Sequence, residues 1–249
     1  MTDFRLLRVF NDEKLRGYAG AKVRIGRNSL PFFAGDTLAE RLVRELAHER
    51  ALPIKEVVEA FEFFAVVRKY LRLTPTIVDL CSGHGLAGIL FAAFERRTQE
   101  VVLADKRKPL HFEHVWRACT KAAPWIEDKV RYVEGELADV RGELPAGGAV
   151  LGVHACGALT DACIEIALEL GGPLAVMPCC RARAKNTAPQ GLRQALGEDV
   201  AYDVDRTYAI ERGGYRVRWR EIPEAITPMN RVLIGVPREV AATAGARDA

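Results

Sequence analysis

The strongest constraint on this chain is a rhythm between residues 76 and 178. Short apolar runs recur there: "TIVDL" (76–80), "VVLAD" (101–105), "VRYVE" (130–134), "AVLGVHA" (149–155) and "LAVMP" (174–178). The stretches 86–97, 109–122 and 159–170 between them read as helices. Continuous apolar runs of this length fit parallel strands buried on both faces. The alternation therefore predicts a doubly wound, Rossmann-like α/β sheet with its ligand site at the carboxyl ends of the strands.

The flanks break the rhythm. "YRVRWREI" (215–222) alternates like a half-exposed strand, and "RVLIGV" (231–236) is short and apolar. About eight residues separate them, too few for a helical crossover, so this last pair is expected to run antiparallel. Upstream, "TLAE" (37–40) has the form of a capping box before the stripe Leu38, Leu42, Val43 and Leu46. Pro53 suits the first turn of a second helix carrying Val57, Phe61, Phe64 and Ala65. Residues 1–35 are rich in glycine and lack a sustained period. The expected organisation is an N-terminal loop and helical cap (1–72), the Rossmann-like domain (73–238) and a disordered tail (239–249).

Apolar residues make up 49% of the chain and charged ones 28%, with basic residues interrupting every apolar run before it could span a bilayer. The first twenty residues carry charges throughout and do not read as a signal peptide. The six cysteines lie within apolar or motif-like segments, as reduced thiols do, so a cytoplasmic protein without membrane attachment is expected. A net charge of +3 does not itself imply nucleic acid, although "DKRK" (105–108), "RARAK" (181–185) and "RVRWR" (216–220) could contact phosphates or simply be solvated.

"GHGLAG" (83–88) matches the G-x-G-x-x-G of dinucleotide sites. Its setting argues otherwise. Asp79 ends the preceding strand four residues before Gly83, and a buried carboxylate repels a pyrophosphate. An acid there suits a cationic or hydrogen-bond-donating ligand. Asp105, about twenty residues past Gly85, suits ribose hydroxyls of any adenosine ligand, nicotinamide dinucleotides included.

Together these features resemble class I S-adenosylmethionine-dependent methyltransferases, over roughly residues 70–237. "DLCSGHG" (79–85) is similar to the first motif of that family, which lies under the methionine part of the cofactor. The resemblance implies S-adenosylmethionine bound by Asp79, Cys81, Ser82, Gly83 and Gly85, with Asp105 and its neighbour Lys106 at the ribose and Glu136 near the adenine amino group. Cys81 departs from the pattern, which most often has glycine there. "VHACGALTD" (153–161) and "MPCC" (177–180) resemble a subgroup that includes a tRNA 2′-O-methyltransferase family and methyltransferase-like proteins of unsettled substrate. It also includes a methyltransferase domain joined to a glutathione-transferase-type domain, to which "DLCSG" is most similar.

His154 ends the fourth strand, where it could take a proton from the acceptor or fix the loop by bonding backbone or Asp161. Cys156, Asp161, Cys179, Cys180 and Arg181 fall on the expected substrate side. Asp161 begins a helix and could instead act as a cap. The cysteines are expected to line the site as small apolar groups. His154 with Cys156, Cys179 and Cys180 has zinc-ligand residue types but no C-x-x-C spacing, and adjacent cysteines of an extended chain point apart, so no metal is expected. "GYAGAKVRIGR" (17–27) and "RARAK" could hold phosphates of an RNA acceptor, with Phe32 and Phe33 packing beneath. The resulting expectation is a methyltransferase acting on RNA ahead of a small molecule or a protein. Its rivals are a non-catalytic module that holds cofactor or RNA and, less favoured, a nicotinamide oxidoreductase. Oligomeric state stays open.

Overall fold

The computed structural model describes residues 2–178 and 187–238. After a short α1 (Glu13–Arg16) come α2 (Leu38–His48) and α3 (Ile54–Leu71). Strand β1 (Thr76–Leu80), α4 (Leu86–Phe94), β2 (Glu100–Asp105), α5 (Phe112–Ala122), β3 (Val130–Glu134), α6 (Leu137–Val140), β4 (Ala149–Val153), α7 (Ala158–Leu170) and β5 (Leu174–Met177) then alternate as expected. Two further helices, α8 (Gln190–Leu196) and α9 (Glu198–Arg212), precede β6 (Tyr215–Glu221) and β7 (Arg231–Pro237). The seven strands form one sheet in the order β3-β2-β1-β4-β5-β7-β6. β1 to β5 are parallel, whereas β7 runs antiparallel to both β5 and β6.

Period-two alternation distributes the strands between two apolar layers. Ile77, Val101, Leu103, Ala149, Leu151 and Met177 face the layer that contains α2, α3 and α4. Val78, Leu80, Val102, Val150 and Val176 face a second layer with Cys163, Ile164, Ala167 of α7 and Ile210 of α9. α4 is apolar almost all round because it is sandwiched: α3 covers it, with Phe64 and Phe91 edge-to-face at 4.9 Å.

The helices before the sheet are held by specific polar contacts. Thr37 Oγ1 accepts from the Glu40 amide at 3.2 Å while Glu40 Oε2 accepts from the Thr37 amide at 3.3 Å, closing the expected capping box. Glu62, fully buried in α3, accepts three backbone N–H bonds from Arg5, Leu6 and Leu7 at 2.7, 3.0 and 2.9 Å. That one carboxylate moors the N-terminal segment, whose Phe4, Leu7, Phe10 and Phe33 join the same apolar layer as α3. Phe32 packs partly buried against Tyr18, 6.0 Å between rings. Among the described residues no helix is long and apolar enough to cross a membrane.

Candidate active site

The chain leaves β1 through a run of left-handed backbone. Cys81, Gly83 and Gly85 have φ of 54°, 52° and 69°, which turns the strand sharply into α4. Cys81 therefore adopts the conformation that a glycine would favour, at a backbone cost. Asp105 at the end of β2 pins the turn: its Oδ2 accepts from the Gly83 amide at 2.8 Å, and Tyr132 from β3 donates its hydroxyl to the Gly83 carbonyl at 2.9 Å. Asp79 is 1% exposed, and its Oδ2 accepts from the Gly88 amide in the first turn of α4 at 2.9 Å. Any side chain at Gly88 would meet Leu103 at 2.8 Å and Asp79 Oδ2 at 3.1 Å, so the last glycine of the motif lets the helix reach the acid.

A cavity of about 480 Å³ opens over this turn. Asp79, Cys81, Ser82, Gly83 and Gly85 form its floor and His154 its far side. α3, from the helical cap expected to help define the acceptor site, supplies a wall with Lys55, Glu56 and Glu59, residues the sequence did not single out; His84, Thr227 and Met229 complete it. The wall is acidic. Partial desolvation and the proximity of Glu59 push the Glu56 carboxyl above its usual range. Burial raises Asp79 to about 7, opposed by the Gly88 N–H bond and reinforced by Asp105.

His154 follows β4 in the left-handed region, with φ of 60°, a strained conformation for a residue with a side chain. Its amide donates to Met177 O at 3.2 Å, and its Nε2 lies 2.6 Å from Glu59 Oε2. The partner is thus an acid 95 residues away, on the cap helix, in place of backbone or Asp161. The only local trace of Glu59 and Glu62 in the sequence is that they interrupt the apolar run "VVEAFEFFAV" (57–66) of a largely buried helix.

The remaining expected residues fall around the cavity or away from it. Lys106 and Glu136 form an exposed ion pair at 2.5 Å beyond the ends of β2 and β3. Cys156 is exposed and, like Asp161, absent from the cavity wall. Asp161 accepts from Tyr202 Oη and, at 2.8 Å, from Arg206 Nε. Arg206, 4% exposed, also reaches Asp203 at 3.2 Å and the Gly157 carbonyl at 3.4 Å, so α9 holds the loop after β4. Cys179, Cys180 and Arg181 lie outside the described residues, as do the other basic residues of "RARAK" and the tail 239–249. Among the described residues no three His, Cys, Asp or Glu side chains converge as metal ligands.

Five parallel strands closed by an antiparallel pair, with a buried acid, a glycine turn and a second-strand acid at their carboxyl ends, define a class I S-adenosylmethionine-dependent methyltransferase. The family described as a methyltransferase domain matches residues 54–187, over half of the chain, and the chain belongs to it. Solved structures with the same fold include cofactor-bound Rv0187 from MTB, with 19% identity, a TM-score of 0.52 and coverage of 81% of this chain and 91% of that one. A candidate O-methyltransferase from Klebsiella pneumoniae aligns at 15% identity and TM-score 0.53, covering 82% and 91% of the two chains. Among curated proteins, the glutathione S-transferase C-terminal domain-containing protein of Xenopus laevis is 23% identical over 228 residues, 78% of this chain and 36% of its own. Its Homo sapiens counterpart is 25% identical over 209 residues, 69% of this chain and 31% of its own. The chain thus spans about a third of the length of these relatives.

The residues present fit S-adenosylmethionine. Asp79 holds a buried carboxyl on the cavity floor, suited to an ammonium group. The position that a Cβ would take on Gly83 is empty for 4 Å around, leaving room for close approach of a ligand. Ser82 adds a buried hydroxyl to the cavity floor, beside that of Tyr132.

Proposed function

We propose that this methyltransferase acts on RNA, and the observation that carries the reading is a second cavity beside the first. It measures about 620 Å³ and is lined by Arg24, Arg27, His48 and Arg50 with Tyr18 and Asn28. Arg24 of the second cavity is close enough to Glu56 and His84 of the first to act on both electrostatically. Arg24 donates to the carbonyls of Arg50 and Ala51, at 3.2 and 2.7 Å, immediately before Leu52 of the first cavity. An acidic interior beside a basic annex suits a nucleotide acceptor, with its uncharged reacting group inside and its phosphates on the arginines. When bound, S-adenosylmethionine supplies a methyl group on a positively charged sulfur. The chain's own work is then to orient the acceptor and receive its proton, which falls to His154 on the cavity wall. Cys81 and Cys163 stand as hydrogen-bonded thiols, which supports a reducing, cytoplasmic setting.

The test is transfer of radiolabelled methyl groups to separated RNA, protein and metabolite fractions of a cell extract. Label is expected in RNA. Arg27→Glu, on an exposed side chain, should weaken RNA binding by about tenfold or more while leaving S-adenosylhomocysteine affinity unchanged. Label confined to the protein or metabolite fraction would remove the RNA reading.

A further inference from the structure

We propose that Glu59 is the positioning residue of the transfer step: it fixes the tautomer of His154 and leaves Nδ1 as the proton acceptor. The inference rests on the reading of this cavity as the place where an acceptor loses a proton. Glu59 is 2% exposed, in the second turn of α3, with Oε2 at 2.6 Å from His154 Nε2. A carboxylate can only accept, so Nε2 carries the hydrogen and the ring's lone pair is left on Nδ1. Lys55 Nζ lies 3.5 Å from Oε1, one turn earlier on the same helix.

Among the described residues, the partners of this acid are His154 and Lys55. Glu62, three residues on and equally buried, is accounted for by the three amides it accepts from the N-terminal segment. Glu59 has no such role: Oε1 is buried, makes no hydrogen bond among the described residues, and belongs to a residue on the cavity wall. Burying a carboxylate with one oxygen unsatisfied is costly, and a helix packed on apolar neighbours gains nothing by it. His154 is itself held at a positive φ, so backbone strain meets, at one contact, a buried carboxylate whose Oε1 has an ion-pair partner but no hydrogen bond among the described residues. Their coincidence at a cavity wall is the arrangement expected of a preorganised site, where structure elsewhere bears the cost of holding reactive groups.

The step balances simply. The acceptor's O–H or N–H bond breaks, its electron pair forms the new bond to the methyl carbon, and the pair of the broken carbon–sulfur bond stays on sulfur. The proton passes to His154 Nδ1, giving an imidazolium whose charge the Glu59 carboxylate faces, and leaves to water afterwards.

Long-range proton–nitrogen correlation spectra of the ligand-free protein, recorded where His154 is neutral, read the tautomer directly. The wild type should show the Nε2–H form alone. Glu59→Gln, whose amide can donate to Nε2, and Glu59→Leu, which can do neither, should both bring up the Nδ1–H form. Circular dichroism and thermal melting should match the wild type for both, showing an intact fold. With total cellular RNA as acceptor, Glu59→Gln should lower kcat by roughly 10²–10⁴-fold at little-changed KM, and Glu59→Asp should restore part of it. A His154 spectrum unchanged in both variants, or a tautomer change that comes only with loss of the native fold, overturns the proposal. If the wild type labels no RNA, the acceptor reading falls instead, and the spectra alone decide on Glu59.

Discussion

Asp79 shows how one side chain can set the conditions under which a site works. Its carboxyl is buried against α4, and burial raises it from 3.8 in the unfolded chain to about 7. Between those values the native state holds a proton that the unfolded chain has released. The ligand-free protein should therefore lose stability as pH rises from about 4 to about 7 and change little from this source above that, by at most about 4 kcal/mol. Asp79→Asn, which cannot ionise, should flatten the curve in chemical denaturation at stepped pH. Parallel curves for the two proteins over that window would remove the ionisation from the account. The same group explains why this residue was legible in sequence: an acid ending an apolar strand is conspicuous, and its sign distinguishes a pyrophosphate from an ammonium ligand. Glu59 was not legible for the opposite reason. Its meaning comes from a contact with His154 across 95 residues, and no local pattern encodes such a distance.

At the scale of elements, strands were easier to read than the helices that cover them. Each expected strand lies within a residue or two of the observed one, because a strand buried on both faces must be apolar throughout. α8 and α9 went unseen. α9 buries Asp203 and Arg206 beside Ala201, Tyr202 and Ile210, so its inward face reads as polar surface. There the charges are paired inside, Arg206 with Asp161 and Asp203, and Arg231 with Asp203 at 2.9 Å. α3 uses buried charge differently, through Glu62 and the amides of Arg5, Leu6 and Leu7. Glu62→Ala would leave three donors without an acceptor inside the fold and should cost about 3–5 kcal/mol in urea denaturation. Glu62→Gln, which keeps one acceptor oxygen, should cost less. A loss below about 1 kcal/mol for the alanine variant would mean that water or a shifted backbone satisfies the segment, and that the mooring is weaker than its geometry suggests.

On the scale of the whole molecule, the sequence suggests a boundary near residue 72, where helical texture gives way to the strand series. The packing runs across that position. Phe4, Phe10, Phe33, Leu42 and Phe61 share one apolar layer with Ile77, Leu103, Leu151 and Ile234. The cavity spans it too, since the glycine turn lies after the boundary and Glu56 and Glu59 before it. Elements that share a core and a site gain their stability jointly, and separating them would expose the face of α4 that α3 now covers. The protein should therefore unfold in one calorimetric transition, with calorimetric and van't Hoff enthalpies equal. S-adenosylhomocysteine should move that transition as a whole to higher temperature, because ligand bound to the native state alone stabilises everything that melts with it. Two resolved transitions, with only the later one responding to ligand, would make residues 1–72 an independent cap. The acidic wall of α3 would then be a contribution from a separable part, and variants at Glu59 would have to be judged against the cap's own stability.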